Sequence, residues 1–159
     1  MDKLEYYKNL PKKRISAGVL LFNEAGQLLI LELSYKDHWS IPGGVVEAFE
    51  SPIEGAKREI REEIGLDIEL DRCLAVDYTD YILAEGHREE SLQFLFLGKT
   101  LSEGDMEKIK IDKKEIVSCR FADFDEALGM LGEKLSRRLS ALNGNFDRFR
   151  LLKNGEIVV

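Results

Sequence analysis

The stretch that decides the fold is GVVEAFESPIEGAKREIREEIGL, residues 44–66, because it contains the best-marked helix in the sequence. Its ends carry an N-cap, a proline at the first helical position, an acid that completes a capping box and a glycine after the last turn, namely Ser51, Pro52, Glu54 and Gly65. These signals predict a helix over residues 52–64. Because the helix has its own start and stop, its faces can be assigned from residue spacing.

One face of the predicted helix is apolar. At about 100° per residue, Ile53, Ile60 and Ile64 fall on one line, and Ala56 borders it. An apolar stripe of this kind is stable only when it is removed from water. We therefore expect it to face the core.

A cluster of carboxylates lies beside this stripe. Glu59, Glu62 and Glu63 share one arc of the helix, since positions three and four apart lie on the same face. These like charges repel one another unless a cation neutralises them, and carboxylate oxygens suit Mg²⁺ or, alternatively, Mn²⁺. Gly55 lies in the same arc, where it either leaves room for a metal-bound phosphate or is a tolerated surface glycine. A solvated acidic face is the competing interpretation.

The fixed positions of the segment follow the order and spacing of a known motif, namely Gly44, Glu50, Arg58-Glu59-Ile60, Glu62-Glu63 and Gly65-Leu66. The segment resembles a complete Nudix box. The approach over residues 39–44 and the order of the later strands also resemble that family. The resemblance implies an α+β fold, a Nudix-type α/β/α sandwich with a mixed β-sheet flanked by helices. It also implies Mg²⁺-dependent hydrolysis of a pyrophosphate linkage in a nucleoside diphosphate that is linked to another group.

The resemblance assigns roles inside and just before the box. The implied metal ligands are Glu59, Glu62, Glu63 and the carbonyl group of Gly43. Arg58 would orient a carboxylate and Glu50 would support the site, and we expect Glu62 or Glu63 to be essential for catalysis. An i,i+4 salt bridge from Arg58 to Glu54 or Glu62 is the alternative interpretation of the arginine.

Residues around the box have weaker assignments. A further acid usually arrives from outside the box, and Glu115 is the candidate base, although it is also explained as a surface acid. Trp39 and Gly44 are the expected substrate-binding residues, but core packing explains Trp39 equally well. Relatives commonly carry glycine where this chain has Phe49, so the geometry of the loop before Glu50 is an open point.

The rest of the chain alternates apolar, β-prone runs with turn signals. The predicted elements are a β-hairpin over residues 15–22 and 27–33, strands over residues 45–49, 68–78, 91–100 and 114–122, a loop or hairpin tip over residues 79–90, one amphipathic helix over residues 123–142, and a terminal hairpin over residues 149–159. With 159 residues and 44% hydrophobic content, we expect a single Nudix domain over residues 1–159, of which residues 1–13 are an N-terminal extension.

Charge and composition narrow the partners. A net charge of −7 argues against a non-specific grip on a nucleic-acid polymer, which needs a basic stripe. No apolar run is long enough to span a membrane. The polar, charged N-terminus and two cysteines without C-x-x-C spacing are typical of a cytoplasmic protein. We expect a small nucleotide-like diphosphate as the partner, and a monomer or a homodimer.

Two other functions compete with the enzyme. A catalytically silent Nudix-like domain would bind a nucleotide as a sensor, but such a domain would be expected to lose acids that this chain keeps. An interaction module built on the C-terminal helix has no positive signal. Within the enzyme hypothesis the box handles the diphosphate and other loops select the rest of the substrate. Nucleoside triphosphates, nucleotide sugars, ADP-ribose and dinucleoside polyphosphates all stay open, and the candidate selectivity residues are Arg14, Tyr35, Lys36, Tyr78 and Tyr81.

Overall fold

The computed structural model describes residues 2–159. Its helices are α1 (Lys3–Lys8), α2 (Pro52–Ile64), α3 (Glu103–Glu107), α4 (Phe124–Met130) and α5 (Glu133–Leu142). Its strands are β1 (Arg14–Leu20), β2 (Leu28–Leu33), β3 (Trp39–Ser40), β4 (Gly43–Val45), β5 (Leu70–Ile82), β6 (Arg88–Gly98), β7 (Ile116–Ala122), β8 (Arg150–Lys153) and β9 (Glu156–Ile157). Short helices α1 and α3 have no counterpart in the sequence-based prediction.

The strands form two sheets. The six-stranded sheet has the order β4-β1-β6-β5-β8-β9 and is mixed, because β1 and β6 are parallel, as are β5 and β8, whereas the other pairs are antiparallel. The second sheet, with the order β3-β2-β7, is antiparallel. The mixed sheet confirms that part of the expected fold.

Apolar residues are buried on both faces of the central strands. In β2, Leu29 and Leu31 pack in the same cluster as Ile60 of α2, whereas Leu28 and Ile30 pack in the cluster that contains Leu139 of α5. Successive side chains of a strand point to opposite faces, so an unbroken apolar run needs a cover on each side. Helix α2 covers one face, and α4 and α5 cover the other. The result is the expected α/β/α sandwich.

Helix α2 begins and ends where the sequence predicts. The Ser51 side chain accepts a hydrogen bond from the backbone of Glu54, the Glu54 carboxylate accepts one from the backbone of Ser51, and Gly65 closes the helix with φ 71°. Ile60 and Ile64 are fully buried. The prediction for Ile53 is wrong, because its side chain is 51% exposed. The first turn of α2 extends beyond the core, so the apolar stripe becomes buried only from Ala56 onward.

The predicted N-terminal hairpin is wrong beyond its turn. Near the turn, Asn23 donates to Gln27 and Leu29 donates to Leu21, but β1 and β2 then separate into different sheets. Strand β1 pairs with β6 along its whole length, and β2 pairs with β7. Each strand thereby pairs with its neighbour in the sheet over more residues than the contacts near the turn alone would provide.

The C-terminal helix is broken and the central hairpin is longer than predicted. Helices α4 and α5 are separated at Leu131 and Gly132, where Gly132 donates its N–H to the carbonyl of Trp39 and lies so close to the ring of His38 that a Cβ would be 2.6 Å from it. Strands β5 and β6 extend into residues 79–90, which leaves only a short turn between them. Strand β4 starts and ends earlier than predicted, and the terminal hairpin is confirmed. Within residues 2–159 no helix is long and apolar enough to cross a membrane.

Candidate active site

Helix α2 places its carboxylates at different depths. Glu63 is only 7% exposed, whereas 18% of the Glu59 side chain and 58% of the Glu62 side chain is exposed. Glu59 and Glu63 line a cleft of about 820 Å³, and Glu62 lies outside its lining. The sequence-predicted cluster therefore exists, but only two of its members face the cleft.

Arg58 ties the carboxylates of the segment together. Its guanidinium contacts both oxygens of Glu50 at 2.9 and 3.1 Å, Glu59 at 2.8 Å and Glu62 at 3.0 Å, and it also donates to the carbonyl of Val45 at 3.0 Å. The hydrogen bonds from Arg58 hold the pKa of Glu50 below its usual value. Glu54, named in the alternative salt bridge, is occupied by its capping box instead.

Two glycines let the backbone approach the acids. Gly43 has φ 145°, and a Cβ there would lie 2.2 Å from the carbonyl oxygen of Ala17 on β1. A Cβ on Gly44 would lie 2.5 Å from Oε1 of Glu59. No side chain fits at either position without displacing backbone or a site carboxylate. The glycines thus bring β4 against both β1 and α2.

Glu63 is the most perturbed acid of the site. Burial raises its pKa to about 8, and the nearby carboxylates of Glu59, Glu115 and Glu62 act in the same direction. A hydrogen bond of 2.8 Å from the N–H of Gly43 only partly opposes this effect. A buried carboxylate with acids around it is stabilised in its charged form by a cation.

The other side of the cleft contributes residues from distant segments. Glu115, which immediately precedes β7, lines the cleft together with Tyr35 and the half-buried Trp39. The pKa of the Tyr35 hydroxyl is raised by burial and by the charges of Glu115, Glu63 and Glu59, which line the same cleft. The structure therefore brings Glu115 and Trp39 to the same cleft as the box.

The family model described as the NUDIX domain matches residues 12–142, which is most of the chain. The chain belongs to the Nudix family. The region matched extends from just before β1 to the end of α5, so it includes both covers of the sheet and both sides of the cleft.

Individual relatives agree with this assignment. An RNA pyrophosphohydrolase of Halorhodospira halophila is 42% identical over 53 residues, which are 33% of this chain and 29% of that one. Nudix hydrolase 8 of Arabidopsis thaliana is 26% identical over 134 residues, 79% of this chain and 34% of that one. The chain thus spans about a third of the length of these curated relatives. The crystal structure of a MutT protein from Methanosarcina mazei has a TM-score of 0.66 at 24% identity and covers 86% of this chain and 100% of its own, which shows the fold.

The donor set of this Nudix site fits a hard divalent cation, the kind of ion that Nudix hydrolases generally use. It consists of carboxylate oxygens around a buried acid, beside a backbone that glycine brings close. Within residues 2–159 no three His, Cys, Asp or Glu side chains already surround one point closely enough to hold an ion. The Nη1 nitrogen of Arg58 donates hydrogen bonds to both Glu59 and Glu62. A cation bound by these two carboxylates would therefore replace Arg58 as the group that neutralises their charge.

Two residues of the box, Gly55 in α2 and Phe49 in the loop before it, have roles that the sequence left open. Gly55 is buried, and a Cβ there would lie 2.9 Å from Glu50 and 3.1 Å from Val46, so this glycine makes room for the supporting acid. The interpretation of Gly55 as a tolerated surface glycine is therefore wrong, whereas room for a metal-bound phosphate stays a prediction. Phe49 adopts φ 64° with a fully exposed ring. The backbone at this position has the left-handed conformation that glycine favours, which explains why relatives commonly carry glycine there.

The distal part of the cleft contains residues that the sequence did not reveal. Arg14 and Tyr81, two of the candidate selectivity residues, line it, but so do Lys134 and Arg138 of α5. Tyr78 lies outside the lining and donates a hydrogen bond to Glu90 instead. The charges of α5 are spaced four residues apart on its polar side, a pattern that solvated helix faces share, so no signal in the sequence distinguishes them.

Proposed function

We propose that this chain is a divalent-metal-dependent Nudix hydrolase, a single domain that cleaves a pyrophosphate linkage in a nucleoside diphosphate linked to another group. The observation that supports it most is the environment of Glu63. This carboxylate is buried, its pKa is raised to about 8, and it lines the cleft beside Glu59 with Glu115 close enough to raise its pKa further. A cation in the cleft would stabilise the charged form of such a group, and Mg²⁺ commonly shares its remaining coordination positions with substrate phosphates.

The site residues would divide the work in the following way. Glu59, Glu62, Glu63 and the carbonyl group of Gly43 would hold Mg²⁺, with Mn²⁺ as the alternative ion. The bound cation would supply neutralisation of the phosphate oxygens and acidification of water. Arg58 would position the carboxylates that it contacts, and Glu50 would anchor Arg58 through two hydrogen bonds.

Proton transfer and substrate contacts would come from outside the helix. Glu115 would accept a proton from the attacking water, since it lines the cleft and its carboxylate accepts no hydrogen bond from residues 2–159. Gly44 would let the diphosphate approach the backbone, because its missing side chain is what keeps Glu59 accessible. Trp39 would pack against the substrate from β3.

The names of the relatives do not identify one class of substrate. Their names include an RNA pyrophosphohydrolase, but the net charge of −7 favours a small nucleotide-like substrate over a polymer. Two free cysteines, Cys73 and Cys119, support a reducing and hence cytoplasmic environment. The chain would act as a monomer or a homodimer.

A substrate panel tests the proposal. Purified protein is incubated with Mg²⁺ or Mn²⁺ and with nucleoside triphosphates, nucleotide sugars, ADP-ribose, dinucleoside polyphosphates and a 5′-triphosphorylated oligonucleotide, and phosphate release is followed after a coupling phosphatase. We expect metal-dependent cleavage of at least one small compound and a weaker reaction with the oligonucleotide. Nucleotide binding without turnover across the panel would instead support a catalytically silent sensor domain. Such a domain would be expected to lack some of the box acids, all of which this chain keeps.

A further inference from the structure

Arg138 is a largely buried cation with unused hydrogen-bonding capacity. Only 11% of its side chain is exposed, and its Nε donates to Oδ2 of Asp77 at 2.8 Å. Asp77 is 1% exposed and also accepts a hydrogen bond from the N–H of Gly155, which fixes its orientation. Among residues 2–159 neither terminal amino group of Arg138 has a hydrogen-bond partner, although the side chain lines the cleft. These amino groups are available to a ligand.

Two further cations lie on the same wall of the cleft. Lys134 precedes Arg138 by about one helical turn, and its Nζ lies 3.8 Å from the ring centroid of Tyr81. Arg14 donates a hydrogen bond of 2.9 Å to the hydroxyl of the same tyrosine. All four side chains line the cleft. Tyr81 thus contacts both Arg14 and Lys134, and Arg138 lies one helical turn from Lys134. We call the three cations Arg14, Lys134 and Arg138 the cationic wall.

The acids near the cationic wall offset only part of its charge. Asp77 forms a salt bridge of 2.8 Å with Arg138 and so offsets one of the three positive charges, which leaves those of Arg14 and Lys134. Glu133 also lines the cleft, but it is 85% exposed and is contacted by Arg137 at 3.0 Å. Glu89, the cross-strand partner of Tyr81, contacts His87 and lies outside the lining. The wall thus keeps a local positive charge in a chain whose net charge is −7.

The cationic wall is separated from the box acids along β1. Gly18 pairs with Gly43, whose N–H binds Glu63, whereas Arg14 lies four residues earlier on the same strand. At about 3.3 Å per residue, this separation is roughly 13 Å. The additional phosphate of a nucleoside triphosphate is adjacent to the cleaved linkage. A phosphate on a sugar or at the far end of a leaving group is a better match for the wall.

We propose that the cationic wall, formed by Arg14, Lys134 and Arg138, binds a second anionic group of the substrate. Preferred substrates then carry a phosphate that is separate from the diphosphate being cleaved. This inference rests on the proposed hydrolase function, because it assigns the substrate class of the same cleft. Arginine is suited to the role, since its planar group makes paired hydrogen bonds to phosphate oxygens.

Matched substrates that differ by one phosphate test the inference. Coenzyme A is compared with 3′-dephospho-coenzyme A, and NADP⁺ with NAD⁺, because each pair shares the same pyrophosphate linkage. For the unmodified chain we expect kcat/KM to be about tenfold or more higher for the phosphorylated member of at least one pair. In the double variant Arg14→Met/Lys134→Met this ratio should fall several-fold, because only Arg138 of the wall remains.

Two further variants guard against misfolding and general charge effects. Arg138→Lys keeps a cation next to buried Asp77 and should reduce the ratio several-fold, because lysine lacks the planar fork. Lys108→Met removes an exposed cation at the end of α3, outside the cleft, and should leave the ratio unchanged. Equal kcat/KM values for both members of both pairs, or an unchanged ratio in the double variant, would overturn the inference while the hydrolase function stands.

A binding measurement separates this inference from failure of the proposed function. If no compound of the wider panel is hydrolysed with either metal, the hydrolase proposal is wrong. Isothermal titration calorimetry of the same pairs in EDTA then decides about the wall, which needs no metal. Binding of the phosphorylated member about tenfold tighter than its partner would support the wall, and equal binding would refute it.

Discussion

The two ends of the cleft are built in different ways. At the box end, Gly43 and Glu63 are 20 residues apart, and a single loop and helix contain both. At the cationic wall, Asp77 and Arg138 are 61 residues apart, and Arg14 and Tyr81 are 67 apart. The local end holds the chemistry that all Nudix hydrolases would need, whereas the long-range end holds what distinguishes one substrate from another. A change at the first should affect every substrate, and a change at the second should affect their ranking.

The largest expected effect comes from Glu63→Gln at the box end. The variant keeps an oxygen that can accept the Gly43 N–H but loses the charge, so we expect kcat to fall about 10³-fold for every substrate. Steady-state assays at saturating Mg²⁺ measure it, with Glu107→Gln on the exposed end of α3 as the matched control. A loss confined to phosphorylated substrates would contradict the division between the two ends.

The raised pKa of Glu63 predicts an unusual pH dependence for the metal-free chain. Unfolded Glu63 loses its proton near its ordinary pKa of 4.5, whereas folded Glu63 keeps it up to about 8. The folded state therefore binds more protons in this window, and its stability falls as pH rises from about 4.5 to 8.

Glu63→Gln removes this proton linkage. We expect the variant to gain on the order of 3 kcal/mol relative to the unmodified chain between pH 5 and pH 8, as measured by urea unfolding in EDTA. Added Mg²⁺ should stabilise the unmodified chain more than the variant. A stability difference that stays constant across this pH range would show that Glu63 titrates normally.

A smaller effect is expected from Arg58→Lys. Lysine keeps the charge but cannot contact three carboxylates and a carbonyl at once, so kcat should fall about tenfold and the free energy of unfolding by about 1–2 kcal/mol. Assays and urea unfolding are done in parallel, and Arg61→Lys on the exposed side of α2 is the control. If Arg58→Lys changed only the ratio between matched substrates, Arg58 would belong functionally to the cationic wall.

The smallest effect is expected from Phe49→Gly. Glycine adopts φ 64° without strain and no packing is lost, because the ring is fully exposed. We expect a gain of about 1 kcal/mol in the free energy of unfolding, reduced in part by the greater freedom of the unfolded chain. Thermal unfolding measures it, and a loss of stability would mean that Phe49 contributes packing that its exposure does not reveal.

The sequence alone determined the box end of the cleft. The limits of α2, the burial of Ile60 and Ile64 and the grouping of Glu59 with Glu63 follow from capping and helical spacing, which depend on neighbouring residues. Nudix-box resemblance added the carbonyl group of Gly43 and the residue Gly44 to the predicted site. These interactions are local, so the amino-acid order contains them.

Only the tertiary structure decided the rest. The exposure of Ile53 depends on where the core ends, and the separation of β1 from β2 depends on the longer partners β6 and β7. The break between α4 and α5 depends on contacts of Gly132 with Trp39 and His38. Arg138 meets Asp77, and Glu115 meets the box, only because distant segments pack around the same sheet. A contact between residues far apart leaves no periodicity in the sequence, so the chemistry could be predicted while the substrate wall could not.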